Sequence, residues 1–449
     1  MTQHFYIQQR TGVYMNKRLT VKEFDSFTRN LSVDHANYHM LDDVTFDLLE
    51  QFILDSTAIS ETSDDIASFL SIGNVKGIGK VIRTKNYVGV LKLKNGTEIE
   101  ILPKIHSPAS DLSEEETKRV FLTMLMHLPN LPFKKFTMAN LQLADHHVLE
   151  LFIQMFLTEV KWLLTRGLKS DYQAFAGNEV YYKGKLNITQ HIRYNLAHKE
   201  RFHVTYDQLD LNRTENRLIK TALLHIQTKT SHSMNKKDIK SALQFFDQVE
   251  TIYNPNDAFS TLTNDRNMKD YRTVLEWCKV FLQNKSFTTF SGTSVAYALL
   301  FPMEKVYEAY IAGVLKRTMD NRIYAIYTQD RTHSLFDVPK RFALRPDIVI
   351  EHNEKCIVLD TKWKILKNDL RSNYGISQAD MYQMFAYHHK YDAECVILVY
   401  PWNNGFPVQS EPIQFSSHDS VIMYIFFINL YEIEKSMNHL AELVSKKFA

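Results

Sequence analysis

The sequence predicts an α+β chain of several domains: a β-rich N-terminal domain (residues 1–110), a mainly helical middle domain with a small β-hairpin (111–290) and a C-terminal α/β domain (291–449). Three observations predict it. An Asn-Gly pair at 95–96 sits between alternating apolar and charged residues; helical periodicity dominates from 113 to about 290; and two apolar β-branched runs, 348–350 and 356–359, flank a short polar turn. The length of 449 residues agrees, since ~150 residues per domain gives roughly three. With 45% hydrophobic residues, 13 Gly and 11 Pro, the chain is neither disordered nor collagenous. Cys278, Cys356 and Cys395 form no Cys-x-x-Cys pair, so neither a disulfide framework nor a cysteine zinc site is expected. No run approaches the ~18 apolar residues of a membrane span, and MTQHFYIQQR lacks the apolar stretch of a signal peptide. A cytoplasmic protein without membrane contact is expected.

From the N-terminus, a helix is expected around 44–54. The stretch YVGVLKLKNGTEIEILPKI (87–105) follows, with Leu91 and Leu93 alternating with Lys92 and Lys94, and Ile99 and Ile101 with Glu98 and Glu100. Asn-Gly tolerates the positive φ of a tight turn, so a hairpin with one buried and one wet face is expected, ended by Pro103, which has no N–H for a ladder. Ser113 followed by Glu114, Glu115 and Glu116 reads as a helix N-terminus. Further helices are expected at 148–168, 215–229, 238–253 and 270–282, and two short strands within 178–189. Domain boundaries are expected near 107–113 and 284–295. Gly73, Gly77, Gly79 and Lys80 invite a nucleotide reading, but Ile78 stands where a phosphate loop needs glycine and Val81 where it needs a hydroxyl. They read as turn residues.

The net charge of +2 is unevenly spread. Residues 41–70 hold acids and no Lys or Arg, whereas 181–240 is strongly basic, with Lys183, Lys185, Arg193, Lys199 and Arg201 at its start. A basic segment attracts phosphates. DNA binding by the basic stretch and partner contact by the acidic one are the functional readings; ordinary solvated helix surfaces are the plain ones.

The densest chemistry lies at 345–364. A two-residue turn at Asn353-Glu354 would pair 352 with 355 and, counting outward, 347 with 360. Asp347 and Asp360 would then face each other with Cβ atoms roughly 4.5–5.5 Å apart. Like charges that close are destabilising unless a cation lies between them. Lys362, two residues on, leaves the strand on the same face as Asp360. The set suits Mg²⁺, with Mn²⁺ as an alternative, and an ammonium that orients water and offsets phosphorane charge. Ser377 and Asp380 read as a helix start, after which Gln383 and Tyr387 share a face at i,i+4. That face contacts bound water or DNA backbone, or else Tyr387 is simply a half-buried aromatic. In a helix expected at 302–319, Glu308 is a further metal carboxylate or a solvated glutamate. Residues 395–401 read as a buried strand. The pairs His146-His147 and His388-His389 read as surface or core histidines.

Pro346-Asp347, Asp360-x-Lys362 and Gln383-x-x-x-Tyr387, with their expected helix and strands, resemble the PD-(D/E)XK nuclease superfamily. More narrowly, the segments 87–105, 183–187, 215–220, 301–308, 345–349, 360–364 and 380–387 resemble, in order, the McrC family. The resemblance implies a restriction-endonuclease-like C-terminal core with Asp347, Asp360 and Lys362 as catalytic triad, Gln383 and Tyr387 in support and Glu308 as a further candidate. It implies cleavage of 5-methylcytosine DNA only with a McrB-like AAA+ GTPase hexamer, GTP acting through that partner. The N-terminal region would enter the ring and stimulate its GTPase, and a second copy of the chain would be a candidate companion in the cleaving complex. Two other readings stand beside it: a stand-alone or repair-type nuclease gripping DNA through the basic stretch, and a GTPase-activating DNA clamp without catalysis.

Overall fold

The Asn95-Gly96 turn forms as expected in the computed structural model, with Gly96 at φ +84° and the strands Tyr87–Leu93 and Glu98–Leu102 paired antiparallel. Residues 18–30, 35–59, 69–107, 113–129, 148–262, 266–282, 295–407, 411–418 and 420–448 are described. The expected boundaries at 107–113 and 284–295, and His146-His147, fall largely or wholly outside them. Among the described residues no helix is long and apolar enough to cross a membrane.

Two units result, Met1–Val148 with Phe287–Ala449, and Leu149–Ser286. In the first, Arg18–Lys22 lies parallel to one edge of the Asn-Gly hairpin and Val295–Pro302 antiparallel to the other. The segments expected as separate N- and C-terminal domains thus contribute to one sheet. Flanked on both sides, the hairpin has no wet face, contrary to the alternation. Glu100 is fully buried and pairs with Lys118 of the helix Glu114–Leu125 at 2.9 Å, while Glu98 pairs with Lys92 at 2.6 Å. Alternating charges therefore mark here a face whose charges neutralise each other under a covering helix. That helix opens on a capping box between Ser113 and Glu116. A second sheet, ordered Tyr38–Met40, Ser26–Thr28, Gly79–Thr84, Leu70–Val75, contains the expected glycine turn, with Gly77 and Gly79 at positive φ. The helix Asp43–Ile59 packs Phe46, Leu49 and Phe52 into the same core.

A six-stranded mixed sheet forms the C-terminal core, ordered Ala325–Thr328, Ile348–His352, Lys355–Thr361, Ala393–Pro401, Ile422–Ile428, Ile413–Ser416. Lys355–Thr361 is central, antiparallel to one neighbour and parallel to the other. Central strands covered on both faces read as continuous apolar runs, which is why 348–350 and 395–401 are apolar throughout. Helix Gln378–Tyr391 packs Met384 and Tyr387 against Val349, Val358, Val396 and Leu398. The alternate residues Ile357, Leu359, Ile397 and Val399 are equally buried, and helices Met303–Thr318 and Ile433–Phe448 also contact this sheet.

The second unit carries helices Thr214–Gln227, Ser233–Leu243 and Arg272–Leu282. The helix expected at 238–253 starts earlier and ends in a 3-10 turn, Gln244–Phe246. The two strands expected within 178–189 belong to a larger three-stranded sheet, ordered Asp171–Glu179, Phe202–Asp210, Lys185–Leu186, the first starting well before 178. Its first strand is almost wholly exposed on both sides, so no burial alternation existed for the sequence to display.

Candidate active site

The two runs of the C-terminal hairpin pair in the expected register, from His352↔Lys355 to Ile348↔Leu359. Asn353 and Glu354 take φ of +47° and +66°, the positive values a two-residue turn needs. Asp347 stands one step beyond the last pair, across from Asp360. Its Oδ2 accepts the Thr361 backbone N–H and the Thr361 hydroxyl, each at 2.7 Å, and its Oδ1 accepts the Gln329 side-chain amide at 3.2 Å.

Asp360 is 2% exposed and forms an ion pair with Lys362. The Lys362 backbone N–H continues the ladder to the Val399 carbonyl at 3.0 Å. Its ammonium also lies 4.0 Å from Asp380 Oδ1 and donates to Gln383 Oε1 at 3.3 Å. Gln383 in turn donates its Nε2 hydrogen to the buried Tyr387 hydroxyl at 2.7 Å. The five residues expected to act together are thus linked by hydrogen bonds, ion pair and the Thr361 backbone, and Tyr387 is also part of the core. Glu308 joins it by accepting the Gln329 amide.

The electrostatics follow from crowding three carboxylates. Burial, then the Asp347 charge, push Asp360 up to about 7. Burial and Asp347 do the same to Glu308, also to about 7, and burial raises Asp347 despite the two Thr361 donors. Burial alone would discharge Lys362, but Asp360, Asp347 and Asp380 outweigh it and raise the ammonium's pKa. Acids pushed up first by burial and then by one another's charge mark a region short of positive charge. Among the described residues no three His, Cys, Asp or Glu side chains form a ready metal cage. Mg²⁺ does not need one, since it keeps several waters and uses one or two carboxylates with substrate phosphate.

Three further contributors carry no sequence motif. Gln329 bridges Glu308 and Asp347, held at φ +55° by its own N–H bond to the Asp347 carbonyl. Thr361 cradles Asp347. Glu23, buried and pushed to about 7 by burial, accepts the Trp363 indole N–H at 2.9–3.0 Å and the Lys104 N–H at 2.7 Å. The Trp363 ring lies 5.3 Å from that of Tyr307, so a residue of the N-terminal segment fixes the side chain between Lys362 and the helix bearing Glu308. Gln329 and Glu23 could not be found without knowing which distant segments meet, whereas Thr361 follows from the hairpin register.

Lys183, Lys185, Arg193, Lys199 and Arg201 are all exposed on the second unit. Lys183 sits 3.9 Å from the Tyr206 ring centroid and 3.7 Å from Glu179. Exposed apolar residues interleave with them, among them Tyr181, Tyr182, Ile188, Ile192 and Tyr194. On the acidic stretch, Arg29 and Lys80 pair with Glu50, and Arg29 also with Asp43 and Asp47. Much of that charge is therefore answered within the fold.

A chain of the refined half-complex from a tetradecameric assembly of Thermococcus gammatolerans McrB AAA+ hexamers with bound McrC superposes with a TM-score of 0.70. The alignment covers 95% of this chain and 100% of that one at 19% identity. A chain of the Thermococcus gammatolerans McrBC complex gives 0.50, covering 68% and 88% at 23% identity. These likenesses concern the fold. In sequence, the chain is 22% identical over 266 residues to the type IV methyl-directed restriction enzyme EcoKMcrBC of Escherichia coli (strain K12), which spans 56% of this chain and 74% of that protein. The model of the McrBC 5-methylcytosine restriction system components matches residues 82–401, well over half the chain and the whole carboxylate site. The chain belongs to the McrBC 5-methylcytosine restriction system component family.

Proposed function

We propose that this chain is the nuclease subunit of a McrBC-like restriction system, a Mg²⁺-dependent endodeoxyribonuclease acting on 5-methylcytosine DNA with a McrB-like AAA+ GTPase partner. The convergence of Asp347, Asp360 and Lys362 at the open end of one hairpin carries this reading. Asp347 and Asp360 would hold the ion, with Glu308 as a third carboxylate, and Mn²⁺ would fit the same oxygens. When bound, it supplies positive charge to the scissile phosphate and lowers the pKa of water.

The rest is done by the chain's own groups. Lys362 keeps its proton at neutral pH, so its ammonium can orient an attacking water and offset charge building on phosphorus. Gln383 holds that ammonium by one end and is itself fixed by Tyr387. Gln329 and Thr361 hold Asp347 so that its carboxylate does not swing toward Lys362. A binding clamp without catalysis would gain nothing from these crowded acids.

The partner reading is supported by the likeness to a chain assembled with McrB AAA+ hexamers, and by a sequence that carries no phosphate loop of its own. The experiment is co-purification with such a partner, followed by digestion of methylated plasmid. Cutting that requires GTP, Mg²⁺ and both proteins is the expected result. Cutting by the isolated chain without GTP would favour a stand-alone nuclease instead.

The exposed basic residues of the second unit are proposed to touch DNA backbone. Lys183→Glu with Lys185→Glu should weaken duplex binding and flatten its log–log salt dependence by about two units. Unchanged affinity and slope would reduce the patch to a solvated surface.

A further inference from the structure

Between Gln329 and Asp347 the chain leaves the carboxylate site and returns to it, since the Gln329 N–H bonds to the Asp347 carbonyl at 3.0 Å. The excursion is a second hairpin, Ser334–Asp337 with Lys340–Ala343. Both its root and its turn end are tied to the helix that carries Gln383 and Tyr387. Tyr391 donates its hydroxyl to Asp330 at 2.7 Å, His333 lies against the Tyr391 ring at 4.4 Å, and Lys390 pairs with Asp337 at 2.7 Å.

Apart from these ties, the hairpin's apolar side chains are uncovered. Val338 is 95% exposed, Phe342 72% and Phe336 56%, the two rings meeting edge to face at 5.9 Å. Phe342 holds a φ of +57°, a region that bulky residues avoid. No packing in the core demands this, because the ring points to solvent. Arg341 lies on the second strand, and Arg331 and Arg345 flank the root. Arg331, Arg341 and Arg345 are exposed, and no carboxylate pairs with any of them among the described residues. Asp330 and Asp337, the acids of the excursion, are both already engaged.

Exposed apolar side chains with exposed guanidinium groups on the strand and at the root, beside the carboxylates, fit a nucleic-acid duplex better than a protein surface. Phosphates would take the arginines, while side chains such as Phe, with apolar neighbours, can wedge between base steps and unstack them. We propose that the hairpin Ser334–Ala343 is a duplex-DNA wedge that grips the groove beside the scissile phosphate, Phe336, Val338 and Phe342 entering it and Arg331, Arg341 and Arg345 clasping the flanking backbone. This rests on the nuclease reading for its location and goes beyond it in naming a separate grip.

The test uses the full-length chain in EDTA, so that it reports on the hairpin whether or not the carboxylates cut. A fluorescent duplex carrying 2-aminopurine is titrated at several salt concentrations. Arg331→Glu with Arg341→Glu should weaken binding about tenfold or more and flatten the salt slope by about two. Phe336→Ser with Val338→Ser and Phe342→Gly should keep that slope but abolish the rise in 2-aminopurine fluorescence that marks unstacking. An unchanged melting temperature shows that each variant is folded, as expected for side chains facing solvent. Wild-type affinity and wild-type fluorescence in both variants would overturn the proposal, as would a wild-type chain that binds no duplex. Conversion of a dimer to a monomer on sedimentation, with DNA binding unaltered, would also overturn it and make the hairpin an interface between copies.

Discussion

Asp360→Ala is expected to abolish DNA cleavage, by about 10³-fold or more, while leaving stimulation of the partner's GTPase intact. Asp360 lies on the central strand of the sheet, where backbone bonds to both neighbours fix its position, and its carboxylate is buried between Asp347 and Lys362. Removing it would take away one of the two oxygen donors proposed for the ion, and metal charge stabilisation is worth several kcal/mol in a phosphoryl transition state. Lys362 would also lose its strongest anchor and swing away from the phosphate. The strands themselves should persist, since the hairpin's register rests on Ile348–Ile350 and Ile357–Leu359. Gel analysis of methylated plasmid and phosphate release by the partner check the two halves. Loss of both activities in a folded variant would contradict a division between cutting and GTPase stimulation.

Lys362→Met should reduce cleavage by roughly 10²–10³-fold, the usual loss of a group that stabilises transition-state charge. It should also change how stability depends on pH. The ammonium holds Asp360 down against burial and Asp347; without it the carboxyl rises above the value of about 7 that it has in the intact protein. A carboxyl raised on folding contributes stability that is fully present below its unfolded value near 4 and is lost as pH rises through the folded value. The variant should therefore match the wild type at pH 5, where Asp360 is protonated in both. By pH 8 it should be weaker by up to ~1.4 kcal/mol, because the wild-type carboxyl has ionised one unit above its folded value of about 7 and the variant's has not. Denaturant unfolding at the two pH values reads this directly. Asp360→Asn combined with Lys362→Met should restore the pH 8 stability but no cleavage, and equal destabilisation at both pH values would show that the ion pair is not what Lys362 contributes.

The hairpin that carries both acids was legible because two constraints agreed: β-branched runs of matched length and a two-residue turn that leaves one register. That register alone put 347 across from 360, and i,i+4 spacing put Gln383 and Tyr387 on one face. Gln329 was not legible, because its role depends on a positive-φ turn and on a strand edge brought to it by folding. Glu23 and Trp363 are separated by most of the chain and meet only after the N-terminal segment docks. Glu100 was misread for a general reason. Alternation reports that a face is polar, and a polar face is wet only if no opposite charge arrives to cover it; Lys118 does. Of the three-stranded sheet of the second unit only the part within 178–189 was legible, because its exposed faces remove the contrast on which pattern reading depends.

The central claim is that Asp347 and Asp360 hold a divalent ion beside Lys362. Mn²⁺ titration of the full-length chain, followed by the loss of the free-ion paramagnetic resonance signal, tests it without requiring DNA, partner or turnover. The expected result is saturable binding that disappears in Asp347→Asn and in Asp360→Asn and survives in Lys362→Met. Binding of equal strength in the wild type and both asparagine variants, or none in the wild type, would contradict it.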